Sequence, residues 1–148
     1  MTSLSRFQRS RGFTLLEILV VLVIIGLIAS LVGPRLFTQL EGSQVRVAET
    51  QVKMLRGAVE TFRLDMGRLP TIEEGLAALY AKPNEPRAAE RWRGPYLDEA
   101  VPLDPWDTAY QYAIPGRDSQ PFALYSFGAD KVAGGEGNNT DVGILPAN

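Results

Sequence analysis

The chain has no cysteine and no histidine, and only three lysines among its 148 residues. The first absence removes the disulfide staple on which small exported domains ordinarily rely. Together the three leave carboxylates, Ser, Thr, Tyr and Arg as candidate catalytic groups, and no Asp/Glu pair sits in a recognisable acid–base motif. Acid is missing from the first twelve residues, which carry Arg6, Arg9 and Arg11. Charge of either sign is missing from residues 13–32, apart from Glu17. Past Gly12, twelve Lys and Arg face seventeen Asp and Glu, a formal charge of −5. An acidic body of this kind lacks the basic patch that nucleic acid requires.

What is present begins with the uncharged run. As a helix, twenty residues rising about 1.5 Å each span about 30 Å, the thickness of a bilayer's hydrocarbon core. The basic arm before it predicts a cytoplasmic N-terminus and a body facing outward, the periplasm in a Gram-negative cell. A removed secretory signal fits poorly: Ala29-Ser30 is a weak cleavage site, and helical patterning resumes after Pro34. A small-to-bulky junction lies at Gly12-Phe13, ahead of the run, and a cut there keeps the membrane helix on the mature chain. An ionised side chain inside lipid costs about 2.5–3.5 kcal/mol on the lenient insertion scale, so Glu17 is a functional candidate. A monomeric anchored binding module leaves it unexplained, and a membrane-anchored enzyme is disfavoured by the residue types missing above.

Beyond Gly33-Pro34 the helical period continues. Val45, Ala48, Val52, Leu55, Val59, Phe62 and Met66 recur at steps of three and four, with Arg46, Glu49, Lys53, Arg56, Glu60, Arg63 and Asp65 between them. The pattern predicts one helix over 13–66, about 80 Å long, stopped at Gly67 with Pro70 beyond. Pro34 weakens or kinks it by removing a donor and crowding the carbonyl of Ser30. Thr71 and Glu74 form a capping-box pattern, predicting a short helix over 72–80 buried through Leu76, Leu79 and Tyr80. Residues 84–107 read as an ordered loop, since Trp92, Tyr96, Leu97 and Trp106 are too many large apolar groups for a free linker. Strands are predicted over 110–114 and 122–127, joined by a hairpin loop over 115–121, with a third near 142–145.

Residues 128–141 combine glycines with Asp130, Glu136, Asn138, Asn139 and Asp141. Such a loop can wrap a hard cation, because Ca²⁺ takes six to eight oxygen ligands. It does not match the EF-hand spacing, and composition alone is better explained by a plain turn with solvated acids.

Two sets of residues carry a resemblance that covers essentially the whole chain. Gly12-Phe13-Thr14-Leu15-Leu16-Glu17 resembles the class III signal of type IV pilins and pseudopilins. Leu69-Pro70-Thr71, Glu74-Gly75-Leu76, Gly94-Pro95-Tyr96-Leu97, Asp104-Pro105-Trp106, Leu124-Tyr125-Ser126 and Gly128-Ala129-Asp130 resemble the major pseudopilins of type II secretion, the general secretion pathway protein G family. The resemblance implies an α+β, type IV pilin-like fold. In it one long N-terminal helix, hydrophobic in its first half and amphipathic in its second, packs on a small antiparallel β-sheet head with a metal-stabilised C-terminal loop. It divides the chain into a leader over 1–12, a transmembrane and filament-core segment over 13–34, and a periplasmic domain over 35–148.

The same resemblance implies a polymer subunit without catalysis. A prepilin peptidase of the inner membrane would cut between Gly12 and Phe13 and N-methylate Phe13. Glu17 would then neutralise the Phe13 amine of a neighbouring subunit, and the helix around Pro34 would partly melt on packing. The implied partners are further copies of the chain, minor pseudopilins, the inner-membrane assembly platform and, before assembly, lipid. The implied location is the inner membrane, single-pass, with assembly into a periplasmic pseudopilus that drives export of folded proteins across the outer membrane. The implied cofactor is Ca²⁺, held by the side chain of Asp130 and backbone oxygens of Phe127 and Val132. Gly137 stands where the family usually has a second carboxylate, leaving Asn138, Asn139 or Asp141 to complete the set. Asp107 and Ala109 depart from the family's Gly and Pro, and the tail lacks a tryptophan often found there. A type IV or competence pilin is the alternative, opposed by the missing cysteines and by this loop.

Overall fold

The computed structural model describes residues 14–147; the junction Gly12-Phe13 and the arm before it lie outside them. The chain divides into two compact units, Met1–Gln39 and Leu40–Asn148. Helix α1 is assigned over Leu15–Met66. In the first unit its segment Leu15–Gly33 is long and apolar enough to cross a membrane, with none of it buried. Leu15, Leu19, Leu22, Leu27 and Leu31 are each more than half exposed. Helix is assigned without interruption through Gly33 and Pro34, so the weakening expected at the proline does not end the element.

In the second unit the predicted apolar stripe is the core. Ala48, Val52, Leu55, Val59, Phe62 and Met66 are buried, joined by Ala58, while Val45 is half-buried. Arg46, Glu49, Lys53, Arg63 and Asp65 stay exposed, and Arg56 and Glu60 are half-buried. Among the described residues the ion pair on this face is Glu60–Arg63 at 3.6 Å. The helix stops where expected, with Gly67 donating to the Arg63 carbonyl at 2.9 Å.

The reciprocal cap at Thr71 forms. Its N–H donates to Glu74 Oε2 at 2.8 Å, and the Glu74 N–H donates to Thr71 Oγ1 at 3.2 Å. The element that follows differs from expectation: residues 72–74 make a turn, and a 3₁₀-helix spans Gly75–Leu79. Gly75 sits at φ 54°, in the left-handed region, which interrupts an α-helical path. With three residues per turn instead of 3.6, position 80 leaves the core side, and Tyr80 is 46% exposed although Leu76 and Leu79 are buried. Glu74 also takes two hydrogen bonds from Arg68, at 2.6 and 2.7 Å, which hold its carboxyl below the ordinary range.

A further helix, α2 (Pro86–Arg91), lies inside the segment read as loop. Its signal was present: Glu85 accepts from the N–H groups of Arg87 and Ala88, and proline occupies the first helical position. Three strands, β1 (Gln111–Ala113), β2 (Ala123–Ser126) and β3 (Val142–Ile144), form an antiparallel sheet in that order. Tyr112 pairs with Leu124, and Leu124 with Ile144. Tyrosines fasten the head. Tyr110 donates to Gln51 Oε1 on α1 at 2.6 Å, and Tyr112 donates to the Pro70 carbonyl at 3.0 Å. Burial raises the Tyr110 phenol well above its usual value and Tyr112 to about 12, keeping both protonated as donors. Phe62, fully buried, meets Tyr96 edge-on at 5.6 Å, and Tyr96 meets Trp92 at 5.8 Å.

Candidate assembly stretch and cation-binding loop

At the start of α1, Thr14 and Glu17 repeat the chemistry of Thr71 and Glu74. The Thr14 N–H and hydroxyl both donate to Glu17 Oε2, at 2.8 and 2.9 Å, and the Glu17 N–H donates to Thr14 Oγ1 at 3.2 Å. From sequence Glu17 stands as an isolated acid in an apolar run, yet the T-x-x-E spacing that marks this cap is the same as at Thr71 and Glu74. Its consequence is directional. The cap turns the carboxylate back toward the first residue of the helix, where unpaired backbone N–H groups favour an anion. Phe13, expected to carry the neighbour-pairing amine, lies outside the described residues.

The loop after β2 is tied by its own backbone. Ala129 N–H donates to the Asn138 carbonyl at 3.1 Å, and Asp141 N–H to the Gly134 carbonyl at 3.3 Å. Asp141 Oδ2 accepts from Gly134 N–H at 2.9 Å, which leaves its Oδ1 buried without a hydrogen-bond partner. Asn138 Oδ1 is buried and unpartnered as well. Asp130 is exposed, and its Oδ1 accepts from Val132 N–H at 3.1 Å. Asn139 and Val132 are exposed, while Phe127 is half-buried and edge-on to Tyr125 at 5.3 Å. Gly137 takes φ 61°, a left-handed backbone that glycine adopts without strain. Among the described residues no group of three or more carboxylates gathers. A hard cation at this loop would therefore depend on amide and backbone oxygens as much as on acids. Two buried acceptors without donors are what such an ion satisfies, and the donor set fits it.

A third cluster was not singled out from sequence. Asp104 is 3% exposed and Ser126 fully buried. The Ser126 hydroxyl donates to Asp104 Oδ2, while Oδ1 accepts from the N–H groups of Trp106 and Thr108 at 3.0 and 2.8 Å. Ser126 Oγ in turn accepts from Gly128 N–H, the first residue of the loop, at 3.1 Å. One carboxylate thus joins the 104–108 turn to β2 and to the loop's entry. In that turn Asp107 takes φ 59°, which Asp tolerates better than most residues, so the departure at this position keeps the turn.

Residues 35–145 match the family model described as type II secretion system (T2SS), protein G, and residues 7–33 match the prokaryotic N-terminal methylation motif. The type II secretion system core protein G of Pseudomonas aeruginosa is 39% identical over 140 residues, covering 95% of this chain and 97% of that protein. That of Vibrio cholerae is 38% identical over 140 residues, covering 95% and 94%. Among solved structures, the major pseudopilin from the type 2 secretion system of enterohaemorrhagic Escherichia coli superposes with a TM-score of 0.60 at 31% identity. It covers 74% of this chain and 93% of that one.

Proposed function

The chain belongs to the type II secretion system protein G family, and from that premise we propose that it is the major structural subunit of a pseudopilus, processed at Gly12-Phe13 and assembled through Glu17. The methylation motif over residues 7–33, continuous with the family match over 35–145, carries this reading. Cleavage after Gly12 leaves a positive amine on Phe13, which is N-methylated. The Glu17 carboxylate, capped by Thr14, would pair with the corresponding amine of an adjoining subunit. In lipid an unpaired acid is costly, so the assembled state is favoured by pairing it. The apolar side chains of Leu15–Gly33, exposed in the single chain, pack as the filament core. The protein anchors in the inner membrane with its body in the periplasm and does no chemistry of its own. A type IV or competence pilin is disfavoured by the family match itself. The processing step is tested by mass spectrometry of the purified mature chain. It should begin at N-methylated Phe13, and Gly12→Glu should leave a full-length precursor; a methylated or cut Gly12→Glu chain rules out this junction.

The buried, unpartnered oxygens of Asp141 and Asn138 support Ca²⁺ as a structural ion of the terminal loop. Asp130, Asn139 and the backbone oxygens of Phe127 and Val132 are the other candidates to hold it. Bound there, the ion supplies only charge compensation and a crosslink between the loop's two ends, the task a disulfide performs elsewhere. A ligand binding only the folded state at a hundred times its dissociation constant adds about 2.7 kcal/mol, which for a domain of this size raises the melting temperature by about 10 °C or more. The detergent-solubilised chain should show that shift between chelator and calcium, and Asp141→Ala should lose it. An unchanged melting temperature removes calcium from the account.

A further inference from the structure

Ser126, fully buried at the end of β2, uses its hydroxyl on both sides. The proton goes to Asp104 Oδ2, and the oxygen receives the Gly128 N–H at 3.1 Å. A serine that accepts from the N–H two residues on is by itself an ordinary local turn. Two things set this one apart. A hydroxyl commonly rotates to suit its surroundings, whereas here a carboxylate that is itself buried takes the proton and fixes the rotor. That carboxylate is held in turn, because its other oxygen accepts from the N–H groups of Trp106 and Thr108. The acceptor offered to Gly128 is therefore aimed from the interior of the body.

What Ser126 holds is one side of a peptide plane. The peptide between Phe127 and Gly128 is trans, so its N–H and C=O point in opposite directions. With the Gly128 N–H on Ser126, the Phe127 carbonyl points away from it. Among the described residues no N–H of the loop donates to that oxygen. Gly128 also carries the far side of the loop. At its φ of 74° a Cβ would meet the Thr140 carbonyl oxygen at 2.9 Å and that of Asn138 at 3.0 Å, so the backbone of residues 138–140 rests directly on it. The segment that presents the unpartnered oxygens of Asn138 and Asp141 is thus laid against the peptide that Ser126 fixes.

We propose that Ser126, anchored on Asp104, is the positioning residue of the cation-binding loop: it sets the Phe127–Gly128 peptide so that the Phe127 carbonyl is free to serve as a ligand. The proposal deepens the calcium reading above and rests on it. Its physical basis is preorganisation. All the contacts that set this peptide are made by the chain itself, so the carbonyl needs no backbone reorientation when an ion arrives. A group that orients a ligand contributes to affinity without touching the metal. A purely structural cluster behaves differently: it stabilises the body equally with and without the ion and leaves the affinity unchanged.

The test uses the full detergent-solubilised chain and calcium itself. Titrated by calorimetry well below the melting temperature, Ser126→Ala should bind calcium at least about tenfold more weakly than the parent. Tyr112→Phe removes the bond to the Pro70 carbonyl, a fastening outside the loop. It should lower the melting temperature yet keep the dissociation constant within about twofold of the parent's. A second measurement needs no variant. By amide hydrogen exchange in chelator, Gly128 of the parent should be protected while Gly135 and Gly137 exchange freely. An unchanged affinity in Ser126→Ala overturns the proposal, as does an equal weakening in Tyr112→Phe or an unprotected Gly128 amide in chelator. A parent chain that binds no calcium is a separate result, and it removes the calcium reading together with this one. A parent that binds calcium no better than Ser126→Ala removes this one alone.

Discussion

Glu17→Ala is expected to be cut and methylated like the parent chain and then to support neither filament formation nor secretion. Two losses contribute, and they are separable. Alanine removes the reciprocal cap with Thr14, which is worth about 1 kcal/mol at a helix start. It also removes the negative charge that meets a neighbour's Phe13 amine. Glu17→Gln keeps an acceptor for the Thr14 N–H and hydroxyl while removing the charge. If the charge pair drives assembly, Gln fails as Ala does; if capping alone matters, Gln restores filaments. Counting filaments by electron microscopy, alongside the ratio of exported to retained exoprotein, decides between them. Wild-type filaments from Glu17→Gln sink the pairing mechanism, whatever Ala does.

The second large effect is expected at Asp104, the buried acceptor shared by Trp106, Thr108 and Ser126. Asp104→Ala should destabilise the body by about 3 kcal/mol or more, since a buried hydroxyl and two backbone N–H groups lose their acceptor together and each orphaned buried group costs about 1–3 kcal/mol. For a domain of this length that lowers the melting temperature by about 12 °C or more. Asp104→Asn retains an oxygen for the Trp106 and Thr108 amides, and its side-chain N–H₂ can donate to Ser126, so it should recover most of the loss. Because Ser126 also accepts from Gly128 at the loop entry, the calcium-dependent part of the melting shift should shrink in Asp104→Ala as well. Equal melting temperatures for Asp104→Ala and the parent would show that the cluster is not the fastening described.

The elements that were legible in advance are those whose cause is local. The α1 core stripe runs at helical spacing through residues 48–66, and Gly67 ends it. The cap at Thr71 depends on a hydroxyl and a carboxylate three residues apart, and it formed. The three strands were found to within two residues at each end, because alternating β-formers bounded by proline and glycine specify them locally. Where reading failed, either a local signal was passed over or a distant contact intervened. Pro86 behind Glu85 marked α2, and Thr14 with Glu17 marked a cap; both were available. Tyr80 went wrong because a left-handed Gly75 changed the helix type and with it the phase of every later side chain.

By itself the sequence determined a long helix with a lipid-like half and an amphipathic half, an acid three residues past a threonine at its start, and a cysteine-free body that needs another staple. Each follows from residues no more than a few turns apart, whose geometry the backbone fixes. Only tertiary structure decided which oxygens the terminal loop holds free. Asp141 is left one unpaired oxygen because Gly134, seven residues back, takes the other. Asp104 becomes a buried hub only when β2 brings Ser126 against it across 22 positions. Spacing says which side chains share a face. It does not say which face the rest of the chain will occupy.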